Sequence, residues 1–551
     1  MKTPTPTAAE NSTALATSSW WQHGVVYQIY IRSFADGNGD GEGDLTGLRS
    51  RLDYLATLGV DAVWINPWYA SPMRDGGYDV ADYRAIDPRF GNITEAEQFI
   101  EEAHARGIRV IADLVPNHTS SDHVWFQEAL AAPPGDPARE RYIFRPGAGD
   151  GSEPPSNWES VFGGSTWTRV ADGEWYLHIF DPSQPDLNWE HPEVRDEFDA
   201  IFRFWLDRGI DGFRIDVAHG LIKDMAFPDV DGRTDLLEAE HPVDHPHWDR
   251  DGVHPIIRRW RSIVDEYDDR MMLAEAWVHA ERLPLYLRPD EYHQAFNFDL
   301  LDATWSADSF GRIIGRSLDA AQAVGATSTW VLSNHDVVRH ATRYGLPNDL
   351  AWRRWISDGP TSALDREVGS RRARAAALVT LALPGSTYIY QGEELGLHEV
   401  ADLPTDVLQD PVWERSGQTE RGRDGCRVPI PWTEEGPSFG FGADAAWLPQ
   451  PTSFGAQSVE AQDRDPNSML TLYRAAIALR RSRFPGDLHL TFVEMGTDIL
   501  AWMRGDDILV VANMSPSAVA IPPNGDVLLA SAPTLNGMLP PDAAAWIDIQ
   551  S

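Results

Sequence analysis

A short apolar stretch of the sequence, Gly212-Phe-Arg-Ile-Asp216, carries an arginine two positions before an aspartate. Side chains alternate along an extended strand, so Arg214 and Asp216 would point to the same side of it. A cation this close favours the ionised form of a carboxylate. An ionised carboxylate that is held in place can act as a covalent nucleophile, as it does in one class of glycoside hydrolysis. Taken alone, the spacing also fits a structural ion pair.

This stretch lies within a long alternation of apolar strand-like runs and amphipathic helix-like runs. Eight strand–helix units of this kind predict an α/β fold in which parallel strands close into a (β/α)₈ TIM barrel. After the third strand, a stretch rich in Pro, Gly and Trp interrupts the pattern. From about residue 483, short β-like runs predict a small antiparallel β-domain. The barrel strands are predicted at 25–34, 60–67, 109–115, 210–217, 271–277, 294–298, 327–333 and 386–391.

Polar residues follow the predicted strands at the points where those strands end. Active sites of such barrels lie at the carboxyl ends of the strands, so acids and histidines at these points would meet at one mouth. Core packing does not explain acids at corresponding ends of separate strands. The residues are Asp75 and Tyr78 after the second strand, Asn117 and His118 after the third, Asp216 after the fourth, Glu275 after the fifth, and His335 and Asp336 after the seventh.

The composition limits the partners and the compartment. At 551 residues the chain is too long for one simple core. Its formal net charge of −38 argues against nucleic acid or an anionic membrane as a partner. The single cysteine, Cys426, excludes an internal disulfide and fits a reducing compartment, which predicts a cytoplasmic protein. The opening residues are rich in Thr, Ala and Ser without an apolar core, so we expect neither a signal peptide nor a membrane span there.

Five segments of the chain resemble the α-amylase family of glycoside hydrolases, and within it the α-glucosidase and oligo-1,6-glucosidase branch. All five occur in the order found in that family, and the resemblance runs from about Trp20 to the C-terminus. The segments are Asp113-Leu-Val-Pro-Asn-His118, Gln184-Pro-Asp-Leu-Asn-Trp189, Gly212-Phe-Arg-Ile-Asp216, Glu275-Ala-Trp277 and Ser333-Asn-His-Asp336.

The resemblance implies a catalytic barrel with a B domain inserted after the third strand and a C-terminal β-domain. With the composition, it predicts a disordered tail at 1–19, a barrel formed by 20–118 and 190–482, an inserted domain B at 119–189, and a C-terminal antiparallel β-domain at 483–551.

The resemblance also implies roles for individual residues. Asp216 would be the nucleophile and Glu275 the general acid/base, with an apolar setting predicted for Glu275 from Ala276 and Trp277. Asp336 would bind sugar hydroxyls and stabilise the transition state. The remaining residues expected to bind substrate or to support the nucleophile are Asp75, Tyr78, His118, Phe162, Arg214, His335 and Arg423.

The run Asp36-Gly-Asn-Gly-Asp-Gly-Glu-Gly-Asp44 places oxygen-bearing side chains at alternate positions. This matches the first half of an EF-hand loop, but the twelfth position is Gly47 where an EF-hand has glutamate, and a strand precedes the run. The branch that the chain resembles has a similar loop that holds Ca²⁺ or Mg²⁺ in a structural role. An acidic solvated turn is the alternative. The expected ligands are the side chains of Asp36, Asn38, Asp40 and Asp44 and the carbonyl of Glu42.

Four histidines lie in a Pro- and Asp-rich stretch after the fourth strand, at positions 241, 245, 247 and 254. A zinc site is conceivable, but the spacing is irregular and no thiol joins them. A loop over the barrel mouth on the substrate side is the preferred interpretation.

The resemblance implies a pocket closed around the terminal hydroxyls of one sugar by Asp75 and Arg423. We therefore expect a retaining, exo-acting α-glucosidase that acts on the non-reducing end of small oligosaccharides, with transglycosylation as a related outcome. Val217 often accompanies α-1,6 activity in this branch. Ala218-His219-Gly220, with Gln184-Pro-Asp, is more similar to bacterial α-glucosidases of maltose-type α-1,4 bonds, which we favour. The alternatives are an oligo-1,6-glucosidase, a sucrose-acting glucosyltransferase or isomerase, and a non-catalytic binding protein.

Overall fold

The computed structural model describes residues 19–231, 241–357, 363–486 and 489–549. The tail predicted at 1–19 lies, apart from Ser19, outside the described residues and stays a prediction. Among the described helices, none is long and apolar enough to cross a membrane.

Eight parallel strands form the central sheet and occur around it in chain order. The first strand pairs with both the second and the eighth, and each other neighbour in the series pairs in parallel except the sixth and seventh. Between those two, the Thr329 hydroxyl donates to the Ala295 carbonyl at 2.6 Å. The predicted parallel barrel is confirmed. Its strands are β1 (Val25–Ile29), β2 (Ala62–Ile65), β3 (Arg109–Leu114), β4 (Gly212–Ile215), β5 (Met271–Ala274), β6 (Gln294–Ala295), β7 (Thr329–Val331) and β8 (Ser386–Tyr390).

The strands are almost continuously apolar because both of their faces are covered; every residue of β2, β4 and β5 is buried. Several are shorter than predicted. β1 ends at Ile29, and a 3₁₀ turn, Ile31–Ser33, follows it. β6 ends at Ala295 because the Asn297 side chain accepts the Leu300 N–H and begins a helix there.

Helices cover the outside of the barrel. The helix Pro192–Leu206, before β4, buries one face that includes Phe198, Phe202 and Trp205. The helix predicted after β1 is two helices, because Arg51 departs from helical geometry. The α-helices are Leu45–Ser50, Leu52–Leu58, Ile93–His104, Val124–Ala131, Pro192–Leu206, His254–Val264, Leu283–Tyr286, Phe298–Leu301, Ala307–Ala323, His340–Arg343, Trp352–Ser357, Arg366–Ala382, Pro411–Arg415, Val459–Asp463 and Met469–Arg483.

Smaller sheets accompany the barrel. Tyr69–Ala70 and Asp82–Ile86 form an antiparallel pair after β2. The stretch after β3 contains a three-stranded sheet of Phe144–Pro146, Trp167–Arg169 and Glu174–Leu177. A bridge between His118 and Asp186 brings the two ends of this stretch together at the barrel mouth.

The C-terminal part is antiparallel, as predicted. It packs against the barrel through Trp546, which donates to the Leu378 carbonyl of the helix Arg366–Ala382 at 2.9 Å. The residue boundaries predicted for the domains stay predictions. The C-terminal strands are Thr491–Phe492, Ile499–Arg504, Ile508–Asn513, Val519–Ala520, Gly525–Ala530, Met538–Leu539 and Ala543–Ile549.

Candidate active site

Asp216 and Glu275 stand at the same level on neighbouring strands. The last residues of β4 and β5, Ile215 and Ala274, are paired in parallel register, and the two acids follow them directly. The Glu275 N–H donates to the Ile215 carbonyl at 2.9 Å, and the Asp216 N–H donates to the Leu114 carbonyl at 2.9 Å. Strand pairing thus carries both carboxylates to one rim of the barrel, as the sequence predicted.

The guanidinium of Arg214 connects the acids of this rim. It lies 2.9 Å from Asp113 Oδ1, 2.5 Å from Asp216 Oδ1 and 3.2 Å from Glu275 Oε2. Arg214 is buried, with 2% of its surface exposed, so solvent screens these contacts little. One cation therefore holds Asp216 and Glu275 on the same side of the site.

The charge state of Asp216 depends on opposing effects. Burial raises the pKa of its carboxyl, and the nearby Glu275 and Asp113 carboxylates act in the same direction. The Arg214 guanidinium opposes them, but burial prevails and the pKa of Asp216 lies above its usual value. Sequence reasoning found the cation but not the burial that it has to offset.

The setting of Glu275 is more polar than predicted. The Trp277 indole N–H donates to Glu275 Oε1 at 2.9 Å, and the Val217 N–H donates to Oε2 at 2.9 Å. Val217 has a φ of 47°, which is rare for a β-branched residue and costs roughly 1–3 kcal/mol. The strained residue next to Asp216 thus aims its N–H at Glu275.

Asp336 lies between two arginines. Its Oδ1 atom is 3.0 Å from Arg423 Nη1 and 3.0 Å from Arg427 Nη2, and its Oδ2 atom is 3.2 Å from His335 Nε2. Burial works to raise the pKa of Asp336, but the cationic neighbours, Arg214 among them, hold it below its usual value. Asp336 is therefore an ionised acceptor at neutral pH.

Arg423 closes one end of the site. Besides Asp336, it contacts Asp75 Oδ1 at 2.7 Å and Asp410 Oδ2 at 2.5 Å. The Gln184 amide donates to Asp75 Oδ2 at 2.9 Å, and its nitrogen lies 3.1 Å from His118 Nε2. These contacts bring Asp75, His118 and Arg423 together, as expected from the resemblance. The three side chains give this end of the site a polar lining.

Aromatic rings complete this end. Tyr78 and His335 stack with ring centroids 5.2 Å apart and planes at 8°. The Tyr78 hydroxyl donates to Asp113 Oδ2 at 2.9 Å. The Arg423 guanidinium lies over the ring of Phe162, 5.1 Å from the centroid of that ring. Burial lowers the pKa of His118 to about 4 and holds the pKa of His335 well below its usual value, so both rings are neutral at neutral pH.

Sequence reasoning assigned no role to four residues that hold this arrangement. Asp113 and Gln184 lie within two of the five family segments, so their position there could have indicated them. Arg427 and Asp410 lie outside those segments, and only coordinates show that the buried carboxylate of Asp410 orients Arg423.

In the candidate metal loop, two carboxylates accept a hydrogen bond from the same backbone N–H. Asp36 Oδ1 and Asp44 Oδ2 both accept the Asn38 N–H, at 3.1 and 3.0 Å. The loop curls through Gly39 and Gly41, whose φ angles are 87° and 92°. Burial raises the pKa of Asp44, and the Asp36 charge adds to the rise. Oxygens of like charge held this close suit a hard cation.

Other groups of the loop are partly engaged. The Glu42 carboxylate contacts Arg32 at 2.6 Å, which leaves its carbonyl as the group to offer a metal. Asp40 accepts the Asn38 side-chain amide at 3.1 Å. Among the described residues, no group of three or more His, Cys, Asp or Glu side chains is placed to hold a metal ion. A cation in the loop would therefore also need Asn38 and the Glu42 carbonyl.

The histidines after β4 do not share one centre in the structure. His254 lies 2.7 Å from Glu291, whereas His245 and His247 contact each other edge to face with centroids 4.4 Å apart. His241 is exposed. Trp248, next to His247, stacks on His219 with ring centroids 4.9 Å apart, so this loop lies against the turn that follows Asp216. The substrate-side interpretation stays a prediction.

Comparison with known proteins shows which family and which relatives the chain resembles. Residues 28–484 match the family described as "Alpha amylase, catalytic domain", and residues 498–546 match a "Domain of unknown function (DUF3459)". The chain is 36% identical over 523 residues to a probable alpha-glucosidase of Rhizobium meliloti (strain 1021), covering 91% of this chain and 90% of that protein.

Two further relatives have other names. The chain is 35% identical over 497 residues to an oligo-1,6-glucosidase of Parageobacillus thermoglucosidasius, covering 84% of each. Its fold matches the crystal structure of the alpha-glucosyl transfer enzyme XgtA with a TM-score of 0.83 and 33% identity, covering 97% of this chain and all of that one. With a family match over most of its length, the chain belongs to the α-amylase family of glycoside hydrolases.

Proposed function

We propose that this glycoside hydrolase is a retaining, exo-acting α-glucosidase that releases glucose from the non-reducing end of short α-glucosides. The observation that carries the proposal is the contact of Arg423 with Asp75, Asp336 and Asp410. These charges would close one end of the site around the hydroxyls of a terminal sugar, which a continuing chain could not pass. An enzyme that cleaves within a chain needs an open cleft.

In the first step, Asp216 would attack the anomeric carbon while Glu275 protonates the departing oxygen. Retaining enzymes place the two carboxyl groups roughly 5 Å apart across the bond. Support comes from the paired register of β4 and β5 and from the shared contact with Arg214. Arg214 would favour the ionised form of Asp216 and so oppose the effect of its burial.

In the second step, Glu275 would act as a base and activate the water that releases the sugar from Asp216. Asp336, ionised between Arg423 and Arg427, would accept hydrogen bonds from the hydroxyls of the bound sugar. Tyr78 would lie under the sugar ring, and Phe162 would wall the pocket. If a second sugar occupied the place of water, the same intermediate would give transglycosylation.

For the linkage we propose a preference for α-1,4 bonds of the maltose type. The support is the similarity of Ala218-His219-Gly220 and of Gln184-Pro-Asp to enzymes of that specificity. Gln184 contacts both Asp75 and His118, so this segment belongs to the pocket itself. The competing specificities are α-1,6 bonds and transfer or isomerisation of sucrose.

The test is product analysis with maltose, isomaltose, sucrose and trehalose. We expect glucose from maltose with the highest kcat/KM and no cleavage within longer maltooligosaccharides. Faster turnover of isomaltose would replace the linkage proposal, and isomerised sucrose would replace the proposal of hydrolysis. Absence of turnover of every α-glucoside would support a non-catalytic binding protein.

We also propose that the loop of Asp36, Asn38, Asp40, Glu42 and Asp44 holds a structural Ca²⁺ or Mg²⁺. The support is the convergence of Asp36 and Asp44 on one amide and the engagement of the Glu42 side chain elsewhere. A bound cation would neutralise these carboxylates and fix the loop. We derive no catalytic step from it.

For location and partners we propose a cytoplasmic enzyme whose partners are small sugars. Cys426 is a buried free cysteine, which suits a reducing compartment. The net charge of −38 disfavours nucleic acid and anionic membranes.

A further inference from the structure

The turn that follows Asp216 supports a tryptophan. His219 stacks on Trp248 with ring centroids 4.9 Å apart and planes at 21°. Gly220 makes this possible, because a Cβ at that position would approach Trp248 Cζ3 to 2.8 Å and Val217 Cγ1 to 2.6 Å. Trp248 therefore lies directly against the turn that carries the proposed nucleophile.

Trp248 is fixed by its neighbour in sequence. Asp249 has a φ of 52°, its N–H donates to the His219 carbonyl at 2.8 Å, and its carboxylate accepts from Arg282 at 2.9 Å. The Tyr286 hydroxyl donates to the same carboxylate at 2.8 Å. A strained backbone conformation such as that of Asp249 persists only where surrounding contacts hold it. The ring of Trp248, the preceding residue, therefore has a defined position.

The rings continue from Trp248 toward the closed end of the pocket. Trp248 meets Phe180 edge to face at 6.5 Å, and Phe180 contacts Phe162 at 5.8 Å and His118 at 5.1 Å. Phe180 and Trp248 are half-buried, so part of each ring stays uncovered. His219, Trp248 and Phe180 form what we call the aromatic wall.

Among the described residues of the loops after β4 and β5, each cationic side chain lies near a carboxylate. In their described parts, 218–231, 241–253 and 276–283, the cationic side chains are Lys223, Arg250 and Arg282. Lys223 is 2.7 Å from Asp186, Arg282 is 2.7 Å from Asp251, and Arg250 lies 3.5 Å from Asp224. The same segments carry more carboxylates than cations.

The three buried histidines at this wall, His219, His245 and His247, add no positive charge. Burial lowers the pKa of His219 and of His245 to about 4, and it holds the pKa of His247 well below its usual value. At neutral pH, the described side chains at this wall thus offer ring faces and carboxylates. A phosphorylated ligand is held by guanidinium, ammonium or clustered N–H groups, so these surroundings would repel it.

Resting on the proposed function, we propose that the aromatic wall, with Trp248 at its centre, determines specificity on the leaving-group side. It takes the apolar face of a neutral sugar and rejects a leaving sugar that carries a phosphate. The wall borders Glu275, because the Ala218 N–H beside His219 donates to the Glu275 carbonyl at 2.9 Å. A sugar resting on it would present its glycosidic oxygen to the proposed acid.

The test compares two substrates in the full-length enzyme. Maltose needs both halves of the pocket, whereas α-glucosyl fluoride has no leaving sugar and reports the closed end alone. We expect Trp248→Ala to lower kcat/KM for maltose roughly tenfold, the size of a lost ring contact, with a much smaller loss for α-glucosyl fluoride. Trp248→Phe should recover most of the maltose activity. Trp20→Ala, at the amino end of the barrel, is the matched control.

The proposed rejection of a phosphorylated leaving sugar is tested with maltose that carries a phosphate on its reducing glucose. We expect wild-type kcat/KM to fall at least about 100-fold relative to maltose, since like charges brought together cost several kcal/mol. Equal losses of Trp248→Ala on maltose and on α-glucosyl fluoride, or good turnover of phosphorylated maltose, would overturn this inference while leaving the proposed function standing. A wild-type enzyme that fails on α-glucosyl fluoride would overturn the proposed function itself. Should maltose alone fail, the disaccharide that is turned over takes its place.

Discussion

The two halves of the pocket are built from different chemistry. At the closed end, arginines form ion pairs with carboxylates: Arg214 with Asp216 and Glu275, and Arg423 with Asp75 and Asp336. At the other half, the aromatic wall offers ring faces, and its nearby cations are already paired. Charges fixed before substrate binds can stabilise a developing charge without reorganisation. Ring faces bind many neutral sugars with modest energy.

The two halves should therefore contribute differently to specificity. The closed end should accept one sugar and lose activity steeply when a charge is removed. The aromatic wall should tolerate change and alter the choice of leaving group.

The largest effects should come from the two acids at the rim. We expect Asp216→Ala to lower kcat on maltose by at least roughly 10³-fold, because no other described carboxylate takes its place. Glu275→Gln should lose as much kcat/KM on maltose but far less kcat/KM on α-glucosyl fluoride, since fluoride departs without a proton. Its kcat should fall on both substrates, because Glu275 is also the base that activates water in the second step. Steady-state kinetics with both substrates checks this. Near-normal maltose activity in either variant would discard the assigned role.

The second-largest loss of activity should follow from removing the charge of Arg214. In Arg214→Met, nothing opposes the burial and the neighbouring carboxylates that raise the pKa of Asp216. Less of Asp216 is then ionised at any given pH, so the acid limb of the kcat/KM profile should shift to higher pH. We expect a loss of roughly 10²-fold at neutral pH.

The exposed Arg203, which pairs with Glu266 on the barrel surface, provides the control as Arg203→Met. An unshifted acid limb in Arg214→Met, measured on folded protein, would mean that Arg214 does not set the charge of Asp216.

A smaller effect should follow from Asp410, which positions Arg423 and faces no reacting atom. Asp410→Asn removes a charged partner at 2.5 Å, and we expect KM for maltose to rise roughly 10-fold with a smaller change in kcat. Asp406→Asn, on the exposed 3₁₀ turn nearby, is the control. A fall in kcat at constant KM would assign Asp410 a different role.

The smallest effect on catalysis should come from the metal loop, to which we assign a structural role. Chelation with EDTA should lower the melting temperature by a few degrees, with recovery on adding Ca²⁺ or Mg²⁺. Activity below the melting temperature should change little. A melting temperature insensitive to both treatments in metal-stripped protein would favour the solvated turn.

Much of this arrangement could be predicted from the sequence, because apolar runs define the strands and parallel strands carry the residues after them to one rim. Asp216, Glu275 and Asp336 follow from that rule and from the family segments. Strand ends were placed less well: β6 stops at Ala295 because Asn297 caps a helix, and a side-chain cap within an apolar run is easily missed.

The rest depends on contacts between distant parts of the chain. Asp410 and Arg423 interact across a loop without a strand pattern, and Trp248 reaches His219 only through the folded loop after β4. The apolar setting expected for Glu275 was wrong, because the indole of Trp277 turns its N–H to the carboxylate. A residue type indicates what a side chain can do, whereas its direction is decided by tertiary packing.

In the proposed mechanism, Asp216 carries the sugar between the two steps. This intermediate can be trapped with 5-fluoro-α-glucosyl fluoride, and the sugar located by digestion of the protein and mass spectrometry. We predict the label on the peptide that contains Asp216, with its loss in Asp216→Ala. A label on another carboxylate, or turnover with inversion at the anomeric carbon, would rule out Asp216 as the nucleophile of a retaining enzyme.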